Sequence, residues 1–313
     1  MDNAKELRER LAALNRQPLP LTARPGDDVD GIRRKLRRNA ELQALPPPLP
    51  IVYHRDLPRA EPAAKRLRIP PSEHVALDEA VAGTEALAPH GGRAYVIAQR
   101  RESEGDDRAS LCAAFRDALV QADSALRQRL GPVCGPGDLR AEDVIFMDLE
   151  STGLAGTPLF LIGTMTWEDG FVVRQYLARD YSEEKAVISL FLADAARRKL
   201  LVTFNGKSFD VPYVRVRAAA TGTPFEMRLA HFDLLHECRR AWGGVLPDCK
   251  LQTLERRICG RPRHADIPGE EIPAAYHCFV RTGNAAEMLE ILRHNVLDLV
   301  TLAELMVRLP GPG

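Results

Sequence analysis

Three short stretches of this chain set acids among residues that could put them to chemical use. The first is Phe146-Met147-Asp148-Leu149-Glu150-Ser151-Thr152-Gly153-Leu154. Alternate side chains on a strand share a face, so Asp148 and Glu150 point together at the end of an apolar run. Two like charges side by side in a core strand repel each other and lose hydration. A hard divalent cation removes that cost, because its preferred ligands are oxygens. The same pair also fits two acids at a solvent-facing strand end. The second stretch is Val202-Thr203-Phe204-Asn205-Gly206-Lys207-Ser208-Phe209-Asp210. Here an apolar strand stops at a turn and Asp210 opens the next helix, as a site acid or as a helix-capping carboxylate. The third is Leu292-Arg293-His294-Asn295-Val296-Leu297-Asp298-Leu299-Val300. His294 and Asp298, at i and i+4, share one helix face and alone would fit a His–Asp salt link. Taken together, four acids from a strand, a strand–helix junction and a late helix can converge on one point. Such a cluster holds two metals roughly 3.5–4 Å apart for in-line attack on a phosphodiester. His294 stands close enough to take a proton from the attacking water.

The elements that must position these residues are legible in outline. Val144–Glu150 predicts a strand, Leu159–Trp167 a second and Phe171–Leu177 a third, the last two joined by the tight turn Glu168-Asp169-Gly170. Ser182 caps a helix whose first turn holds Glu183 and Glu184, where the helix dipole favours acid. Leu200–Phe204 predicts a fourth strand, followed by a helix over roughly Val211–Ala220, further helical pieces, and a long last helix from about Asn284 to Arg308. Upstream, 92–100 predicts a strand with Tyr95 and Ile97 on one face. Residues 108–130 predict one helix, with Leu111, Phe115, Leu119, Ala122 and Leu126 at spacings of three and four, ended by Gly131-Pro132. A meander of strands, then helix, strand and more helices implies a mixed sheet with helices packed on it.

The 313 residues carry 43 Lys/Arg and 43 Asp/Glu, so bulk charge cannot attract nucleic acid, and any such binding must be local. Charge is unevenly spread. Residues 1–70 hold 15 Lys/Arg against 9 Asp/Glu, a net of +6, which leaves −6 on residues 71–313. They also hold ten of the 23 prolines, including Pro46-Pro47-Pro48. Residues 1–90 therefore read as a basic, Pro-rich, partly disordered extension. Within it, Asn3 with Glu6 and Leu7, Leu11 and Leu14 predict one short helix. A second starts near Asp30 with Ile32 and Leu36, and its Arg33–Arg38 run fits either a solvated helix face or a phosphate-contacting or partner-docking arm. Residues 91–138 read as a small strand–helix segment and 139–310 as the main domain. The six cysteines form no CxxC pair, the start is charged with no apolar signal-peptide core, and no apolar run is long enough for a membrane helix. These features imply reduced thiols, a cytoplasmic setting and no membrane partner. Cys249, Cys259 and His264 lack a fourth ligand and a regular spacing, which argues against zinc.

The three acid stretches resemble, in order, the motifs of the DEDD exonucleases of the ribonuclease-H-like superfamily. Cys249-Lys250-Leu251-Gln252-Thr253-Leu254-Glu255, then Asp266-Ile267-Pro268-Gly269 through Ile272-Pro273 and Tyr276 to Gly283, resembles its bacterial YprB-type branch. The resemblance covers about 140–308. It implies an α/β fold with a mixed five-stranded sheet flanked by helices. It also implies phosphodiester hydrolysis with two Mg²⁺ or Mn²⁺ ions, as a 3′→5′ exonuclease on DNA in preference to RNA, in repair or nucleic-acid processing. Carried over by position, Asp148, Glu150, Asp210 and Asp298 are the metal ligands and His294 the general base. His294 departs from the pattern: the histidine subgroup places its His five residues before the last Asp, and here it stands four before, the tyrosine spacing. Thr152 and Gly153 correspond to a turn lying against the terminal nucleotide. Leu154 would wedge a base or pack in the core, Asn205 and Lys207 are substrate-contacting positions, and Asp233 lies close behind the site. The alternatives are a structure-selective endonuclease, or a non-catalytic nucleic-acid-binding subunit working beside a helicase or repair partner.

Overall fold

The computed structural model describes residues 74–100, 106–135, 138–153, 156–263 and 266–312. All described residues belong to one compact unit. The two expected N-terminal helices, the Arg33–Arg38 run, Leu154 and His264 lie outside the described residues.

Seven strands form one sheet: β1 (Thr84–Leu87), β2 (Arg93–Arg100), β3 (Val144–Ser151), β4 (Leu159–Trp167), β5 (Phe171–Leu177), β6 (Leu200–Thr203) and β7 (Ala230–Asp233), in the order β1-β2-β5-β4-β3-β6-β7. The sheet is mixed, with β6 and β7 parallel to β3 and the remaining pairs antiparallel. The α/β class agrees with expectation, but the expected five strands are seven. Strand β2, read as part of a separate small segment, pairs with β5 and carries β1 on its outer edge. Neither β1 nor β7 runs beyond four residues, too short to display an alternation.

The helices are α1 (Leu77–Ala80), α2 (Asp106–Val120), α3 (Ala125–Cys134), α4 (Glu184–Ala195), α5 (Asp210–Thr221), α6 (Leu234–Trp242), α7 (Leu251–Arg257), α8 (Ile272–Thr282) and α9 (Ala286–Arg308). The single helix expected over 108–130 is two. Ser124 breaks it: its hydroxyl accepts from Arg127 N at 3.0 Å, starting α3 afresh, and donates to Ala118 O at 2.5 Å. Pro132 lies in the last turn of α3 instead of ending the helix before it.

The pleat of β3 sorts its side chains into two cores. Ile145, Met147 and Leu149 enter one, with α4 and α8. Val144 and Phe146 enter the other, with α2, α3, α6 and α7. Asp148 and Glu150 continue the row of Val144 and Phe146 past the end of the apolar core. Helix α9 contributes Met288, Ile291 and Leu292 to the first core and Val296, Leu299 and Leu302 to the second, so its middle turn passes over the strand ends where the acids stand. No described helix is long and apolar enough to cross a membrane.

Candidate active site

Asp148 and Glu150 stand on the central strand β3. Each keeps a little exposed surface while protein surrounds it, as for groups on the floor of a recess. Asp210 is the buried first residue of α5. It is delivered by the turn after β6, where Asn205 takes a left-handed φ of 65°. That turn is held from below by Asp233, whose carboxylate accepts from the backbone N–H groups of Asn205 (2.8 Å), Lys207 (3.0 Å) and Leu235 (3.1 Å). Asp233 thus caps α6 and braces the turn carrying Asp210, a supporting place behind the site. Asp298 and His294 come from one face of α9.

Electrostatics ties these groups into one cluster. Burial pushes Asp148 well above the ordinary carboxylate range, and the charges of Asp298, Glu150 and Asp210 push it further. Glu150 rises to about 8, first through burial and then through Asp298 and Asp210, with His294 opposing. Burial, with Asp233 and Asp298, raises Asp210 to about 7. Each shift says that the folded chain disfavours the ionised carboxylate without an added cation.

The fourth acid is met differently. Arg263 donates to Asp298 and to the buried Glu255, and reaches Asp266 Oδ2 at 3.0 Å. Asp266 in turn faces His294 Nδ1, at 3.0 and 2.9 Å from its two oxygens. A carboxylate only accepts, so Nδ1 carries the proton and Nε2, 3.5 Å from Asp298 Oδ2, is turned toward the cluster. Burial alone would lower His294, but Asp266, Asp298 and Glu150 outweigh it and hold the imidazole above its ordinary value.

Asn295 fixes the other end. It donates to Asp148 Oδ2 at 2.8 Å and accepts from Gln175 at 2.9 Å. Asp148, Gly163 and Gln175 lie abreast on β3, β4 and β5. Gly163 makes room for the amide, since a Cβ there would lie 1.9 Å from Asn295 Oδ1.

The expected substrate positions are placed as follows. Thr152 closes the loop after β3, its N–H and hydroxyl both bonded to Pro158 O at 2.9 and 3.0 Å. Gly153 O accepts from Ser151 and from Tyr213 of α5. Asn205 and the exposed Lys207 form the turn before Asp210. Helix α5 therefore carries Asp210 and also clamps the loop after β3: Tyr213 donates to Thr157 O at 2.7 Å and Arg217 to Gly156 O at 2.7 Å. Phe209, next to Asp210, is 37% exposed.

The spacing of the motifs did not reveal Asn295, Gln175, Arg263, Asp266 or Glu255. Asn295 had a signal, as the residue after His294 inside the third motif. The Glu255 and Asp266 segments were visible only as resemblance, without a role.

Among the described residues, no three His, Cys, Asp or Glu side chains converge as a ready-made metal shell. The donor set nevertheless suits hard cations. It is all oxygen, and the raised Asp148, Glu150 and Asp210 are held together with no cationic side chain bonded to them among the described residues.

This chain belongs to the RNase_H superfamily: the family model of that description matches residues 145–310, a span that starts on β3 and ends beyond α9. A relative, described as uncharacterized protein YprB of Bacillus subtilis (strain 168), is 34% identical over 173 residues. That match spans 53% of this chain and 42% of the relative's length. The family B DNA polymerase of the hyperthermophilic archaeon Pyrobaculum calidifontis matches with TM-score 0.44 and 13% identity over 72% of this chain and 44% of its own, a likeness too loose to bear on activity.

Proposed function

We propose that this protein is a divalent-metal-dependent nuclease, acting as a 3′→5′ exonuclease on DNA in repair or nucleic-acid processing. The observation that carries this reading is the convergence of Asp148, Glu150, Asp210 and Asp298, from three separate elements, into one mutually repelling cluster with His294 beside it. Superfamily membership supports a nuclease-type fold. The four acids would hold two Mg²⁺ or Mn²⁺ ions, which in such sites neutralise phosphate charge and make water acidic enough to attack.

The chain's own residues do the rest. Asn295 orients Asp148, while Arg263 orients Asp298. Asp266 holds the proton on Nδ1 of His294, which leaves Nε2 free to accept one from the attacking water. With ions held by the four acids, that imidazole would resist a second proton and keep its basic form. Thr152, Gly153, Asn205 and Lys207 line the approach, and the exposed face of Phe209 suits stacking of a terminal base.

The test is a time course on end-labelled single- and double-stranded DNA and RNA with Mg²⁺, Mn²⁺ or EDTA. Mononucleotides released progressively from 3′ ends of DNA, only with metal, are expected. Asp148→Asn and Asp210→Asn should abolish release. Cleavage in EDTA, or full activity in either variant, overturns the two-metal reading; internal fragments as first products overturn the exonuclease mode.

A further inference from the structure

Residues 71–313 carry a net charge of −6, yet one part of their surface displays cations almost alone. On α6 and α7 the charges are sorted by depth. The acids turn inward: Glu237 pairs with Arg129 at 2.9 Å and Glu255 with Arg263. The cations turn outward, with Arg239, Arg240, Arg256 and Arg257 exposed. Arg239, Arg256 and Arg257 make no ion pair with any described residue. Between Leu234 and Arg257 the single exposed acid is Asp248, whose carboxylate is turned back onto Lys250 N at 3.0 Å.

The two helices follow one another across the connection 243–250, and both turn their buried residues, Leu234 and Cys238 of α6 and Leu254 of α7, into the same apolar core, which leaves these arginines on the solvent side. The surface also reaches the acid cluster. The backbone N–H of Lys207 donates to Asp233 Oδ2 at 3.0 Å and His236 Nε2 lies 3.9 Å from the same oxygen, so both residues stand at the turn that carries Asp210. At the far side Glu255, next to Arg256, is tied through Arg263 to Asp298.

We infer that the outward face of α6 and α7 is a docking surface for the sugar–phosphate backbone of a nucleic acid, running from Lys207 and His236 at the acid cluster to Arg256 and Arg257. The choice of nucleic acid as the polyanion rests on the nuclease reading above. An outward row of guanidinium groups suits phosphates, which they meet in bidentate geometry. Interactions of this kind add affinity without reading sequence.

The test uses the full chain, metal-free in EDTA, and measures the affinity of fluorescein-labelled DNA as salt rises from about 50 to 200 mM. Gln at Arg239, Arg240, Arg256 and Arg257 together should weaken binding by at least about tenfold at the low-salt end. The slope of log affinity against log salt should flatten by about one for every phosphate no longer engaged. Lys at the same four positions should keep most of the slope. The pair Arg215→Gln/Arg228→Gln, on α5 and the segment before β7 and part of neither α6 nor α7, should behave as the parent. Unfolding curves of the Gln variant should stay close to the parent, because the replaced groups are exposed and Glu237, which Arg240 also meets, keeps its pair with Arg129. An unchanged affinity and slope in a folded Gln variant overturns the docking surface even if the protein cleaves DNA. A flattened slope in a protein that cleaves nothing keeps the surface and removes the nuclease reading.

Discussion

Asn295 holds Asp148 across the sheet: its amide nitrogen donates to Asp148 Oδ2 at 2.8 Å while its oxygen accepts from Gln175 at 2.9 Å. The residue next to the candidate base therefore sets the rotamer of the first acid. One helix, α9, supplies Asp298 and His294 and orients Asp148. Displacing that helix by a fraction of a turn would disturb three of the five chemical groups at once.

Gly163→Ala tests this arrangement from a distance. The new methyl would collide with Asn295, and neither sheet nor helix has slack to yield. Stability should fall by roughly 1–3 kcal/mol, as for an overpacked core. Cleavage should fall much further than stability explains, because Asp148 loses its partner. Calorimetry together with single-turnover rates checks this; a variant that is destabilised but fully active would detach Asn295 from the site's function.

The clamp on the loop after β3 predicts a stability effect. Glu184 is buried and accepts from Arg217 Nε (2.7 Å), Arg217 Nη2 (2.6 Å) and Leu159 N (2.9 Å). Arg217→Ala strands that carboxylate, which costs roughly 3–5 kcal/mol for a buried pair, and frees the Gly156 carbonyl. Glu184→Gln keeps an acceptor for Leu159 N and should cost less. Denaturant unfolding of both variants decides; equal losses would mean that the backbone hydrogen bond carries nothing.

The pH dependence follows from the raised carboxylates. In the folded metal-free chain Glu150 titrates at about 8 and Asp210 at about 7. Unfolded, both titrate near ~4. Between these values the folded state binds more protons, so their contribution is complete at the acid end and is lost as pH rises through about 7 to 8. His294, also raised, acts in the same direction. In EDTA the midpoint of thermal unfolding should therefore fall from pH 6 to pH 8. Mg²⁺ or Mn²⁺ should raise it, and more at pH 8 than at pH 6. Asp210→Asn should flatten the EDTA profile. A metal-free protein with a flat profile over this range would contradict the cluster's electrostatics.

Much of this was legible in the sequence, and the gaps have physical reasons. The acids of β3 were readable because a period of two is short and the apolar run marks the strand. Asp210 and Asp298 were readable from a turn signal and from a helical spacing. β1 was not, because Thr-Glu-Ala-Leu has no apolar alternation and exists as a strand only through pairing with β2. Ser124 as a break was hidden because the apolar spacing of three and four continues through it. Arg263 and Asp266 were invisible as site residues for a different reason. Their meaning depends on a connection between α7 and α8 folding back against α9, and no local pattern announces where a connection returns. Gly163 likewise acquires a role only once α9 crosses it.

The last prediction concerns Asp266, which acts through His294. The imidazole can present Nε2 to the cluster only if Nδ1 keeps its proton, and Asp266 is the acceptor that keeps it there. His294→Ala should lose roughly 10²–10⁴-fold in rate, the range for a positioned proton acceptor. Asp266→Asn leaves the imidazole in place but offers Nδ1 an amide that can donate as well as accept. The ring is then free to turn over or exchange tautomers, and kcat should drop by roughly 10–100-fold, as when a group orienting a site histidine is lost. KM should change little, since Asp266 acts through His294 and Arg263. Asp266→Glu, which restores an acceptor, should recover part of the rate. The ¹⁵N shifts of the His294 ring give a readout independent of turnover: protonated at Nδ1 in the parent, mixed in Asp266→Asn. If Asp266→Asn retains both the parental rate and the parental ring signature, Arg263 alone positions this end of the site. If it loses the signature but not the rate, His294 is a structural partner of Asp298 and the proton acceptor lies elsewhere.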